Sequence, residues 1–322
     1  MSAELALRHG DLADVPADLV DATRELLANA KAPSTRRAYL TSWRLFDAWC
    51  RQHNLPAMPA APMTLALYVT DLARCGRKVA TIMRAVSAIS QAHEMAGHAS
   101  PRGAAVVREA LKGIRRTRGT APSQKKPLLS ETLVSAVAHL PGDLRGCLHR
   151  AILLVGFAGA FRRSELVAID VEDLEFTDEG VKVLLRRSKT DQEGAGRKVA
   201  LLRGASGRTC PAQALQAWMA AAGIRSGPVF RAVNRWGRVA DARLCDATVA
   251  AIVKEAVRAA GLDAQAFAAH SMRAGFVTSA ARAGKTEFAI MRVTGHRSVD
   301  MVHRYVREAN LFRDHAAEGI GL

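Results

Sequence analysis

Apolar residues recur at three- and four-residue intervals along most of the chain, a spacing that predicts helices. Tyr39, Leu40, Trp43 and Phe46 mark a helix over Thr35–His53, with Ser34 placed to cap it. Leu65, Leu67, Tyr68 and Leu72 mark another over Met63–Ala73, and Val79–Met95 and Ala104–Ile114 add two more, punctuated by Gly or Pro. No strand alternation interrupts this stretch. The first third of the chain therefore reads as an all-helical domain of four or five helices.

Further along the pattern is mixed. Ser130–Leu140 and Leu144–Phe157 read as helices, and Val181–Leu185 and Lys198–Leu202 as short strands joined by the polar run SKTDQEGAG, hence a hairpin or small sheet. Helices follow at Pro211–Ala222, Asp246–Ala260, His270–Ala283, Glu287–Val293 and Val299–Glu308. The fold class is thus mainly α with a small antiparallel β-sheet in the C-terminal domain. Between the halves, KGIRRTRGTAPSQKK from Lys112 to Lys126 holds six bases and no acid, interspersed with Gly, Pro, Ser and Thr. That composition predicts a flexible basic linker. The expected organisation is a disordered acidic leader at 1–15, a helical domain at 16–112, a linker at 113–127, a second domain at 128–309 and an amphipathic tail at 310–322.

Charge narrows the partner. The 322 residues contain 46 Lys and Arg against 30 Asp and Glu, a formal net charge of +16. Hydrophobic residues make up 49%, too many for a disordered basic tail protein, so the surplus belongs to a globular chain and points to a polyanion. It is unevenly spread: residues 1–25 hold six acids and two bases, whereas residues 26–120 hold fifteen bases and four acids. An anionic membrane fits poorly. The longest apolar run, Ala151–Phe161, is eleven residues closed by Arg162 and Arg163, well short of the roughly 20 a span requires. No signal peptide is visible, and five scattered cysteines without a C-x-x-C suit a reducing cytosol. A cytoplasmic protein encoded by a bacterium, phage or plasmid is expected.

Two motifs look like chemistry and fail on geometry. His93 and His98 flank Glu94 as in a metalloprotease helix. They are five residues apart, about 140° around a helix, so both cannot face one metal. Gly284-Lys285-Thr286 resembles the end of a phosphate-binding loop, but Ser279 stands where its first glycine belongs and a helix, not a strand, precedes it.

What remains is a set of bases and one tyrosine. Arg162 and Arg163 follow the long apolar helix, with Glu165 close behind. Lys189 sits near the tip of the expected hairpin. His270 and Arg273, at i and i+3, share a helix face. Gly295-His296 precedes Ser298, a fitting N-cap for the helix that carries Tyr305. Of the three tyrosines, Tyr39 and Tyr68 sit among apolar helical neighbours and read as core. Tyr305 is flanked by His303, Arg304 and Arg307 and lies nine residues after His296. A phenol, with a pKa near 10, needs such cationic company to act as a nucleophile. Arginines that stay ionised, histidines that move protons and a lysine that can protonate an alkoxide suit phosphoryl transfer at a DNA phosphodiester.

At these residues the sequence resembles the tyrosine recombinases, or phage integrase family, in its simple two-domain Cre/Xer-like form. The order R…K…H-x-x-R…G-H…Y is matched by Arg162 (in R-x-S-E-L, with Glu165 supporting), Lys189, His270, Arg273, His296 and Tyr305. Ser34-Thr35-Arg36-Arg37-Ala38-Tyr39 resembles the opening of the family's core-binding domain. His296 stands where Cre itself has a tryptophan.

The resemblance implies a SAM-like core DNA-binding domain followed by a catalytic domain. It also implies an exchange without metal, ATP or other cofactor, in which Tyr305 attacks the scissile phosphate to give a 3′-phosphotyrosyl bond. Arg162 and Arg273 would hold the non-bridging oxygens, Lys189 would protonate the leaving 5′-oxygen, His270 would act on the nucleophile's proton and His296 would bond the phosphate. The implied partners are duplex DNA with a specific, palindromic site and three further copies of the chain, making a tetramer with a Holliday junction and with the tail at 310–322 exchanged between protomers. Candidate DNA contacts are Arg36, Arg37, Arg77, Lys78, Arg84, Arg115, Arg116 and Arg118. A catalytically silent DNA-binding regulator has no need of Tyr305 or His270. A type IB topoisomerase shares the chemistry but is less well matched by the helical first domain and short tail.

Overall fold

The computed structural model describes residues 15–119, 125–186, 196–204 and 206–309. The chain folds as two units, Met1–Ser123 and Gln124–Leu322. The described part of the first is all helical: α1 (Ala17–Asn29), α2 (Pro33–Gln52), α3 (Pro62–Arg74), α4 (Val79–Met95) and α5 (Ala105–Arg118). Its core is formed by Phe46, Leu65, Tyr68, Val69, Ile82, Val86, Ile89, Val107 and Leu111, the apolar stripes of α2 to α5. Ser34 does not cap α2. The helix starts two residues earlier than expected, at Pro33, whose missing N–H costs nothing in the first turn. The predicted linker is also revised, because α5 continues through Arg118, so Arg115, Arg116 and Arg118 lie on its last turn. There the cations face the negative end of the helix dipole.

His93 is a buried histidine of this core. The Ala60 N–H donates to Nε2 at 2.8 Å, so the ring proton is on Nδ1, which donates to the Ile89 carbonyl at 2.8 Å. Both nitrogens are satisfied in the neutral ring, and burial lowers its pKa. Tyr68 packs against Phe46, ring centroids 5.0 Å apart, and burial pushes its phenol up to about 12. Tyr39 lies under the Lys31 ammonium.

The second unit opens with α6 (Ser130–Ala138) and α7 (Leu144–Ala158), then α8 (Arg163–Val167). The antiparallel sheet β1 (Leu174–Thr177), β2 (Gly180–Leu185) and β3 (Arg197–Leu202) follows in that spatial order. After α9 (Pro211–Ala221) comes a hairpin of β4 (Arg231–Val233) and β5 (Val239–Arg243). The unit ends with α10 (Asp246–Ala259), α11 (His270–Arg282), α12 (Glu287–Thr294) and α13 (Val299–Ala309). Ala151 to Val155 of α7 are all buried, which is why that helix reads as an unbroken apolar run. Val181, Val183 and Leu185 of β2 pair with Leu201, Val199 and Arg197 of β3, and the apolar members of those pairs join the same core. Strands β1, β4 and β5 and helix α8 were not foreseen. Each has at most five residues, too few for a period to show. No helix among the described residues is long and apolar enough to cross a membrane.

Candidate active site

Helix α7 ends in a reversal that places the first arginine. Ala160 takes a left-handed φ of 47°, and the Phe161 N–H returns to the Gly156 carbonyl at 3.1 Å. The Phe161 ring folds over Gly159, where a Cβ would stand 2.2 Å from the ring, so position 159 has to be glycine. Arg162 is then the N-cap of α8, and Glu165 in the first turn reaches back to it. One carboxylate oxygen accepts from the Arg162 N–H at 2.9 Å and the other from Nη1 at 2.5 Å. Glu165 is buried, and a carboxylate here also suits the helix dipole. Arg163 turns away to an ion pair with Asp246 at 2.9 Å, so of the adjoining arginines Arg162 belongs to the site.

Helix α11 carries the next pair. It lies against the backbone of the segment before α6: Leu128 N–H donates to the Ser271 carbonyl at 2.8 Å, and Ser130 N–H to Ser279 Oγ at 3.1 Å. A Cβ on Gly275 would stand 1.7 Å from the Leu128 carbonyl oxygen, so only glycine permits this approach. Arg273 is thereby buried at 2% exposure, with Nη1 donating to the Ala160 carbonyl at 2.7 Å. The reversal after α7 thus supplies the acceptor that aims Arg273.

The remaining residues come from α12 and α13. Thr286 caps α12 at its start, and Gly295 closes it in the left-handed region at φ 67°. Arg197, at the start of β3, donates from Nη1 to the Val293 carbonyl at 2.8 Å and from Nη2 to the Thr294 carbonyl at 3.4 Å. A Cβ at Gly295 would meet Arg197 Nε at 2.9 Å. Past this clamped turn, His296 Nε2 is 3.1 Å from Arg273 Nη2 and Nδ1 is 2.7 Å from Thr294 Oγ1. Ser298 Oγ caps α13 through the Asp300 N–H. Val302 packs with Val277, Ala281 and Ile290, and that cluster holds α13 on α11. Tyr305 Oη then lies 3.5 Å from His270 Nε2. His303, counted in sequence as company for Tyr305, turns instead to Glu287 at 2.5 Å.

Three guanidinium groups, Arg162, Arg197 and Arg273, lie within the field of one buried carboxylate, Glu165, which pairs directly with Arg162. The excess positive charge is visible in its neighbours. Burial, then the Arg162 charge, brings Arg273 down to about 10, still cationic at neutral pH. Burial, then Arg273 and Arg162, brings His296 down to about 4. Burial lowers Arg197 as well. An anion between these groups would relieve all three at once, and a tetrahedral phosphate matches donors that converge from several directions.

The lowered His296 has a consequence for stability. It stays neutral down to about pH 4 in the folded chain, while an unfolded histidine takes its proton near 6.5. Between those values the unfolded state binds more protons, so stability is lost as pH falls through the window. Buried His93 and His149, also lowered by burial, act in the same direction. The thermal midpoint is expected to drop from pH 6.5 to pH 4, and His296→Gln to make the drop shallower. Equal slopes for the two proteins would contradict the assignment.

Of the residues singled out in sequence, Arg162, Glu165, His270, Arg273, His296 and Tyr305 come together here. Lys189 lies outside the described residues. Arg36 and Arg37 are exposed on the first turns of α2, Arg77 and Lys78 just before α4, Arg84 on α4 and Arg115, Arg116 and Arg118 on α5. Arg197, Thr294 and the Ala160 carbonyl were not anticipated. Arg197 reads as an ordinary polar residue at a strand start, and a backbone carbonyl has no sequence signature. Thr294 adjoins the Gly-His pair and was the one signal available.

Residues 128–311 match the phage integrase family. The chain is 42% identical over 294 residues to an integrase/recombinase XerD homolog of Selenomonas ruminantium, covering 90% of this chain and 86% of that protein. It is 25% identical over 313 residues to the recombinase Cre of Escherichia phage P1, covering 91% and 89%. Among solved structures, the Tn1549 transposon integrase in complex with transposon right end DNA superposes with a TM-score of 0.62 at 17% identity, over 95% of this chain and 94% of that one. That last similarity is one of fold.

Proposed function

Since the chain belongs to the phage integrase family, whose members cleave and rejoin DNA in site-specific recombination, we propose that it does so through a 3′-phosphotyrosyl intermediate formed on Tyr305. The observation that carries this reading is the meeting of a tyrosine–histidine pair with Arg162, held by Glu165, and Arg273, held against His296. Tyr305 Oη attacks the phosphorus and its proton passes to His270 Nε2. Arg162 and Arg273 donate to the non-bridging oxygens, where charge develops, and such preorganised donors stabilise the transition state without reorganising. The bond from phosphorus to the 5′-oxygen breaks, and Lys189 supplies the proton with which that oxygen leaves as a 5′-hydroxyl. The phosphotyrosyl ester conserves the energy of the broken bond, so rejoining needs neither ATP nor metal.

The same reading assigns the helical first unit to gripping the duplex as a core-binding domain and the second unit to catalysis. Four copies act on a palindromic site, exchange strands through a Holliday junction and interlock through residues 310–322. A phenol–imidazole pair beside cations has no use in a protein that only binds DNA. The test is to incubate the chain with genomic and plasmid DNA, denature it, and sequence the fragments covalently held. One recurring sequence joined through its 3′ end is the expected result, and no covalent DNA above background defeats the reading.

Binding should also be strongly salt-dependent. If the eight candidate cations of the first unit each neutralise one phosphate, log Kobs falls against log salt with a slope of about −7, at about −0.9 per contact. A nearly flat response in a filter or fluorescence titration would remove them from the DNA interface.

A further inference from the structure

The bonds around His296 fix where its proton sits. A guanidinium has only donors, so the contact from Arg273 Nη2 at 3.1 Å requires a lone pair on His296 Nε2. In the neutral ring the proton is then on Nδ1, and Thr294 Oγ1, at 2.7 Å, accepts it. This is the wrong tautomer for a ring that is to donate to a phosphate oxygen. Such a ring must carry its proton on Nε2, the nitrogen nearest Arg273.

Two routes lead there. A second proton would make an imidazolium beside Arg273, Arg162 and Arg197, which burial and then the surrounding positive charge oppose. The alternative is a change of tautomer at constant charge. The proton leaves Nδ1 to water and another is taken up on Nε2, while Nδ1 becomes an acceptor. That exchange needs a group at Nδ1 able both to accept and to donate. A hydroxyl does this by rotating about its C–O bond, whereas a carbonyl, a carboxylate or an amide N–H cannot. Thr294 supplies such a hydroxyl. Its residue is fully buried, and its carbonyl is held by Arg197, so backbone and side chain are both fixed beside the ring.

We propose that Thr294 is a positioning residue whose hydroxyl switches His296 between an acceptor for Arg273 in the free protein and a donor to the scissile phosphate in the DNA complex. When phosphate enters, Arg273 Nη2 turns from the ring to a phosphate oxygen, the ring reprotonates on Nε2, and the Thr294 O–H reverses to donate to Nδ1. The net charge of the site does not change. The inference rests on the phosphodiester chemistry proposed for this site and adds to it the residue that sets the tautomer.

The test compares Thr294→Val, equal in shape but without the hydroxyl, with Thr294→Ser, which keeps it. In single-turnover cleavage of a nicked DNA substrate, Thr294→Val is expected to form the covalent adduct about ten- to hundredfold more slowly, the range for one buried group left unpaired. Its DNA affinity should remain within about twofold, and Thr294→Ser should recover most of the rate. Imidazole nitrogen-15 shifts report the tautomer directly: Nδ1–H in the free protein and Nε2–H in a complex with uncleaved DNA. A Thr294→Val rate within twofold of wild type, a serine variant as slow as the valine one, or an Nδ1–H ring in the complex would each overturn the proposal. Absence of adduct from the wild-type chain would instead defeat the cleavage reading beneath it, and this proposal with it.

Discussion

Tyr305→Phe is expected to abolish the covalent adduct while leaving DNA binding within about twofold of wild type. The change removes one oxygen. The ring stays in the cluster that joins α13 to α11, beside Val302 and Ile290, so nothing that holds the helix is lost. What disappears is the atom 3.5 Å from His270 Nε2, and no other described tyrosine can replace it. Tyr68 is buried in the first unit's core with its phenol raised to about 12, and Tyr39 belongs to α2 of that unit. Loss of a nucleophile that acts as a unit with its base costs at least about 10³-fold in rate. The measurement is a denaturing gel of protein on a nicked substrate from which the cleaved strand cannot religate. An adduct persisting in the variant would remove Tyr305 from the reaction.

The second large effect falls on a residue with no chemistry. Gly275→Ala is expected to destabilise the second unit by about 3 kcal/mol or more, the upper range for overpacking a rigid contact. Its Cβ would stand 1.7 Å from the Leu128 carbonyl oxygen, and backbone cannot step aside as the end of a flexible side chain can. Relief requires α11 to lift from Leu128, which strains the hydrogen bond from Leu128 N–H to the Ser271 carbonyl on the same face. His270 and Arg273 ride on that helix, so any folded fraction should also cleave poorly. Urea unfolding followed by circular dichroism measures the loss. A midpoint unchanged from wild type would mean that the close approach is not required.

The site was legible in sequence to the extent that its chemistry resides in side chains with fixed spacing. The arginine after an apolar run, the H-x-x-R face and the nine residues from His296 to Tyr305 are local patterns, and each survives folding because a single helix or turn carries it. Two local readings are narrowed by the structure. Of the residues flanking Tyr305 in sequence, His303 pairs with Glu287 instead, while His270 arrives from 35 residues away. The first part of the basic stretch after Lys112 is helix, because Leu111 and Ile114 anchor α5 in the core and carry it on to Arg118, while the division between the units falls after Ser123, inside the predicted 113–127.

By itself, then, the sequence determined the class of the elements, the surplus of positive charge and the six side chains that meet in the candidate site. Periodicity, charge and spacing are properties of neighbours along the chain. Only the tertiary structure decided what these side chains meet. It set the Ala160 carbonyl on Arg273, Arg197 under the Gly295 turn, a single carboxylate among three guanidinium groups, and a hydroxyl on the far side of His296. The first two of those contacts join residues 113 and 96 positions apart and run through backbone atoms that every residue possesses, so no pattern of side chains announces them.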